Sequence, residues 1–169
     1  MIIKTAVYKS PIGELTLAKS ANGLCYLALP GLQAGLKPFL HKYYPDHVIN
    51  DDAAAFRDEI RQLDEYFAGQ RRQFDLHLDL QAPPFYRQVL KEVGKIPYGQ
   101  TRGYGDLAQQ LGKPGSSRAV GGANSQNPLP IIIPCHRVLN SRGELNGYAG
   151  GLAMKASLLK LENNSFKKQ

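Results

Sequence analysis

Read from the N-terminus, hydrophobic and polar positions first alternate in short stretches and only later recur at helical spacing. Ile2 to Tyr8, Glu14 to Ala18 and Leu24 to Leu29 are β-rich runs, parted by Ser10-Pro11-Ile12-Gly13 and Ala21-Asn22-Gly23. Gly and Asn tolerate positive φ and Pro presets a turn, so the three runs predict a small antiparallel meander. From Asp51 to Ala68 the apolar residues Phe56, Ile60, Leu63 and Phe67 fall on one helical face, with Asp and Glu opposite and Gly69 as the stop. Gln73 to Leu80 alternates again and predicts a further strand.

Gln81-Ala82-Pro83-Pro84 breaks this pattern and predicts a domain boundary, giving residues 1–82 and 83–169. Beyond it the pattern is helical. Phe85, Val89 and Val93 share one face of a helix, and a second helix is expected over 104–111. Gly112-Lys113-Pro114-Gly115 turns the chain, and Ser116 or Ser117 can cap a third helix through Asn124. Helix, short glycine-containing turn, helix is the layout of a helix-turn-helix, though any helical hairpin shares it. Gly121 and Gly122 inside the third helix each cost about 1 kcal/mol relative to Ala. A face of Ala and Gly lets the helix axis come close to a partner, either a DNA groove or another helix of the same chain.

Charge sharpens the division. Residues 1–83 carry nine Lys and Arg against ten Asp and Glu, whereas residues 84–169 carry twelve against four. The excess that makes the whole chain +7 therefore lies in the second part, as expected of a part that meets a polyanion. The longest apolar stretch, Leu129 to Cys135, is interrupted by two prolines and falls far below the roughly 20 residues of a spanning helix. No membrane segment or signal peptide is expected, and the location implied is cytoplasmic.

Two cysteines 110 positions apart are poor material for a disulfide framework and are expected as thiols. Cys25 lies between Leu24 and Tyr26 in a strand-like run and reads as a small buried hydrophobe. His41, His47 and His77 make no metal-ligand spacing with it, so no metal is expected. Cys135 ends Pro130-Ile131-Ile132-Ile133-Pro134 and precedes His136-Arg137-Val138. It reads either as a core cysteine at a strand end or as a reactive thiol, since an adjacent base and cation both favour the thiolate.

Pro134-Cys135-His136-Arg137-Val138, then Gly147-Tyr148-Ala149-Gly150-Gly151, Lys155 and Leu158 to Glu162, resemble the signature of the O6-alkylguanine-DNA alkyltransferases. Ile96 to Thr101, Tyr104 to Ala108, Arg118 to Gly121 and Asn127-Pro128 match the same family in order and spacing. The match is dense from Ile96 to Glu162 and thinner earlier, where Ser10 to Leu15, Tyr66 to Gly69 and Phe85 to Leu90 carry it.

The resemblance implies an α/β, ribonuclease-H-like N-terminal domain and a mainly α-helical C-terminal domain holding the helix-turn-helix and the thiol. It implies a single-turnover methyltransferase that moves an alkyl group from O6 of guanine in double-stranded DNA onto Cys135, and leaves open whether O4 of thymine is also a donor. No cofactor is implied, and the protein would act as a monomer. The motif's second helix would enter the minor groove with the damaged nucleotide flipped out, because a thiol inside a protein cannot reach a stacked base in line. Arg118 would fill the gap in the stack. Tyr104 would crowd the backbone phosphate, bond the guanine ring and help neutralise the departing anion. His136, oriented by Glu162 and acting through a water, would take the thiol proton.

The carbonyls of Cys135 and Val138 would accept from the exocyclic amine, and backbone N–H groups near Tyr148 and Ala149 would face O6. Asn127 would brace the turn between helix and thiol, and Lys155 would lie near the pocket. Gly103 stands where the family usually has Ser or Thr, and Asn146 where a smaller residue is usual on the pocket lip. The closest rival reading is a relative that binds alkylated DNA without catalysis; such proteins typically replace the cysteine that is present here.

Overall fold

The meander forms where the turn residues allow it, and it is the frame of the first unit. In the structure, a computed structural model that describes residues 1–165, β1 (Ile2–Ser10), β2 (Gly13–Ser20) and β3 (Gly23–Ala28) are antiparallel neighbours. Gly23 sits at φ +139°, and a Cβ there would come within 2.3 Å of the His77 carbonyl oxygen, so this turn requires glycine. Helix α1 (Leu36–Tyr43) carries the chain to β4 (Val48–Asp51), which pairs parallel to β1 and completes the order β3-β2-β1-β4. Ile3, Leu17, Leu24, Leu40, Phe56 and Leu63 are fully buried in this unit, which spans Met1–Gln81.

Two expectations are corrected here. Helix α2 (Arg57–Phe67) buries Glu59, Gln62, Leu63 and Tyr66, while Ile60 and Phe67 are half-buried, so its inner face is turned from the one the apolar residues marked. Polar side chains can occupy that face because they are partnered: Lys19 Nζ lies 2.9 Å from Glu59, and Gln62 Nε2 donates to the Asp75 carbonyl at 2.9 Å. The run 73–80 is no strand. It is an extended arm with one bridge, Leu24 to Leu78, held by Leu24 N–H to His77 O and Asp79 N–H to Leu24 O at 2.9 and 2.8 Å.

The second unit, from Ala82 onward, is helical. Helix α3 (Pro84–Val93) starts on a proline at its first position, where no intrahelical N–H is needed, and buries Val89, Leu90 and Val93. The two-residue strand β5 (Arg102–Gly103) leads into α4 (Tyr104–Gln110), and a turn with Gly112 and Gly115 at positive φ leads to α5 (Ser117–Ser125). Ser116 occupies the N-cap of α5 but its side chain makes no capping bond. Helix α5 packs on both α3 and α4. A 3-10 turn (Cys135–Arg137), the strand β6 (Val138–Leu139) and α6 (Leu152–Glu162) complete the described chain. No helix among the described residues is long and apolar enough to cross a membrane.

Candidate active site

Cys135 is delivered by a backbone that doubles back on itself. Ile133 N–H donates to the Leu129 carbonyl at 2.8 Å, and between them Ile131 takes φ +74°, a region that β-branched residues rarely enter. The cysteine therefore does not end a strand, as the apolar run had suggested; it opens the 3-10 turn that follows Pro134. Asn127 pins the fold-back from inside, with Nδ2 donating to Ile133 O at 2.9 Å and Oδ1 accepting from Leu129 N–H at 2.9 Å. Strand β6 then lies parallel to β5, with Arg102 opposite Val138 and Gly103 opposite Leu139, which sets the start of α4 beside the thiol's turn.

The thiol is 5% exposed. Burial raises its pKa, and that effect is opposed by a hydrogen bond from the Asn127 side chain, the positive charge of Lys155 and the backbone N–H groups of Cys135 and His136. These are the groups that would hold a thiolate. The His136 imidazole is not among them, and neither is the Arg137 guanidinium, which the sequence had offered as a cation favouring the thiolate.

Arg137 instead belongs to Glu162. Its Nε and Nη2 donate to the two carboxylate oxygens at 2.8 Å each, and Nη1 donates to the Ile96 carbonyl at 2.7 Å. His136 Nε2 lies 2.7 Å from Glu162 Oε1. Burial alone would raise the Glu162 pKa, but His136 and Arg137 together bring it down to about 2. A carboxylate can only accept, so Nε2 carries the proton and Nδ1 holds the lone pair. That Nδ1 is buried with no hydrogen-bond partner among the described residues, and burial lowers the imidazole pKa despite the carboxylate. His136 is thus a neutral base with one free lone pair.

Lys155, on the inner face of α6, is fully buried and ties the far side of the site together. Its ammonium donates to the carbonyls of Val138, Asn146 and Gly147 at 2.6, 2.9 and 3.3 Å. Burial brings its pKa down to about 8, partly resisted by the Cys135 charge. Asn146 contributes to this knot through its backbone, since its carbonyl also accepts from Tyr104 Oη at 3.4 Å, while the residue itself is exposed. The Tyr148 hydroxyl is buried without a partner among the described residues, and Ala149 is exposed. Arg118 projects from the first turn of α5 and is exposed, apart from the buried cluster.

Gly103 caps α4 with half of a capping box, its N–H donating to Asp106 Oδ2 at 3.0 Å. Asn124 escaped the sequence reading. It shares the buried face of α5 with Val120 and Ala123, and its Nδ2 donates to the Cys135 carbonyl at 3.2 Å. The available signal was an amide on an otherwise apolar helical stripe, at a position where Asn is a poor helix former. Among the described residues, no three His, Cys, Asp or Glu side chains are grouped to hold a metal ion.

Residues 84–164 match the family model for the 6-O-methylguanine DNA methyltransferase DNA binding domain, and residues 3–80 match that for its ribonuclease-like domain. The methylated-DNA–protein-cysteine methyltransferase of Mycobacterium tuberculosis H37Rv is 44% identical over 155 residues, which cover 92% of this chain and 89% of that protein. Its namesake from Methanosarcina acetivorans is 43% identical over 94% of this chain and 97% of its own. The crystal structure of Mycobacterium tuberculosis OGT in complex with DNA superposes with a TM-score of 0.83 at 41% identity, covering 97% of this chain and 94% of that one.

Proposed function

This chain belongs to the 6-O-methylguanine DNA methyltransferase family, and from that premise we propose that it repairs DNA by moving an alkyl group from O6 of guanine to Sγ of its own Cys135. The observation that carries this reading is the surroundings of Cys135. Burial raises the pKa of its thiol, the Asn127 amide, the Lys155 charge and two backbone N–H groups act the other way, and the next residue along is a histidine held by Glu162.

The chemistry follows from those groups. His136 takes the thiol proton through a bridging water at Nδ1, and the imidazolium formed is stabilised by Glu162. The thiolate attacks the alkyl carbon in line, the carbon–oxygen bond breaks, and its electron pair passes to the guanine ring, which recovers a proton from its surroundings. Tyr104 stands at the head of α4 to bond the ring as that negative charge develops. The product is a thioether with no easy leaving route, so each molecule acts once and one copy suffices.

Double-stranded DNA carrying the lesion is the partner. Helix α5 enters the minor groove, Arg118 takes the place of the extruded nucleotide, and the Cys135 and Val138 carbonyls border the base along with the backbone near Tyr148 and Ala149. The Cys135 carbonyl already accepts from the Val138 N–H and from the Asn124 amide, and the Val138 carbonyl accepts from the Lys155 ammonium. Lys155 and Asn127 hold the two sides of the site in place.

The test is to incubate the protein with a duplex containing O6-methylguanine and map the modified peptide by mass spectrometry. One methyl group on the peptide containing Cys135 is expected. Cys135→Ser should bind the duplex and take up none, whereas Cys25→Ser should retain full stoichiometry. Methylation elsewhere, or near-normal uptake by Cys135→Ser, would overturn the assignment.

A further inference from the structure

We propose that Asn124 makes the site selective for alkylated guanine over alkylated thymine, its Oδ1 accepting a hydrogen bond from the guanine 2-amino group. The proposal rests on the alkyl-transfer reading above. Asn124 is 6% exposed and lies on the inner face of the helix that bears Arg118. Its Nδ2 donates to the carbonyl of the reactive cysteine at 3.2 Å. Because that carbonyl is an acceptor alone, the amide can be oriented in one sense only, with Oδ1 turned away from it. Oδ1 is buried and has no hydrogen-bond partner among the described residues. Burial raises the pKa of the Tyr104 phenol, and the same Asn124 amide acts to lower it.

A buried acceptor left unpaired beside a reacting thiol is suited to a donor that arrives with the substrate. The lesions differ in exactly that respect. Alkylation at O6 removes the N1 hydrogen of guanine, leaving N1, N3 and N7 as acceptors and the 2-amino group as the base's one N–H donor. Alkylation at O4 of thymine removes the N3 hydrogen and leaves no N–H at all. A base without the donor would shut Oδ1 away from solvent unpaired, and its transfer would slow accordingly.

The experiment compares single-turnover rates on duplexes that carry O6-methylguanine, O6-methylhypoxanthine or O4-methylthymine at one position. O6-methylhypoxanthine is the guanine lesion without its 2-amino group. The wild-type protein should favour O6-methylguanine over both others by about ten to a hundredfold, the cost of leaving one buried acceptor unsatisfied. In Asn124→Leu, which has similar volume and no acceptor, the guanine-to-hypoxanthine ratio should fall severalfold, chiefly through loss of rate on guanine, and what preference is left rests on the backbone carbonyls that border the base. Equal slowing on all three substrates would mean that Asn124 merely supports the Cys135 carbonyl, and would overturn the proposal. So would a wild-type protein indifferent to the 2-amino group, a result that needs no variant to fold. A wild-type protein that methylates Cys135 from none of the three would instead refute the alkyl-transfer reading itself.

Discussion

At Glu162, neighbouring groups reverse what burial alone would do. Burial disfavours its charge, yet the His136 and Arg137 hydrogen bonds hold the carboxyl at about 2, below the ordinary 4.5. A carboxyl whose pKa is depressed by folding contributes stability that is fully present above 4.5 and is lost as pH falls toward 2. Glu162→Gln should therefore cost about 3–5 kcal/mol at neutral pH, because it leaves the buried Arg137 guanidinium unanswered. Denaturant unfolding across pH should show the gap between variant and wild type narrowing from pH 4.5 downward, as the wild-type carboxyl also takes a proton. A gap of constant size would show that carboxylate charge is not its source. The two thiols make a similar contrast: burial pushes Cys25 up to about 11, where Tyr44 is the largest opposing influence, whereas at Cys135 an amide and a cation stand on the opposing side.

Helix α5 serves two surfaces at once. Its outer side carries Arg118 in the first turn, and its inner side carries Val120, Ala123 and Asn124. The two glycines, which the sequence left open between a groove and a helix, have side-chain directions that meet protein. A Cβ at Gly121 would lie 3.9 Å from the Tyr104 ring, and one at Gly122 would lie 3.4 Å from Tyr86 Oη. They let the helix sit close to α3 and α4, which compensates their poor helix propensity. Arg118, by contrast, has no part in this packing. Arg118→Ala should slow repair in duplex DNA at least tenfold while leaving reaction with a free O6-alkylguanine base nearly unchanged, because the arginine offsets an unstacking cost of a few kcal/mol that the free base never incurs. Parallel slowing on both substrates would assign Arg118 to the chemistry or to stability instead.

For the whole molecule, charge is the property that reaches beyond any one site. The excess positive charge lies beyond residue 83, and Arg87, Lys91, Lys113, Arg118, Arg142 and Lys160 are exposed there, while Arg137 and Lys155 are turned inward to structural work. Exposed cations that neutralise phosphates release counterions, so DNA binding should weaken steeply with salt, with a slope of log K against log salt of roughly −3 to −5. It should also depend little on flanking sequence. A fluorescence-anisotropy titration at several salt concentrations checks both; a flat salt response, or one strongly preferred sequence, would point to another mode of DNA contact.

The amino-acid sequence by itself determined the features that depend on near neighbours. The meander follows from turn residues at Gly13 and Gly23, and α3, α4 and α5 follow from spacing and stop signals within each segment. The resemblance around Cys135 brought Cys135, His136, Asn127, Lys155 and Glu162 into one expectation, and the structure gathers those five into one cluster. What the tertiary structure decided is the partner of each buried polar group. Glu162 answers Arg137 across 25 positions, and Ile96 supplies its carbonyl across 41. Asn124 finds the Cys135 carbonyl, and α6 escapes a pattern reading because its inner face is half Lys155 and Glu162. Periodicity is written by side chains one turn apart, whereas a charge or an amide can be buried only where a distant segment brings the complementary group within hydrogen-bond reach.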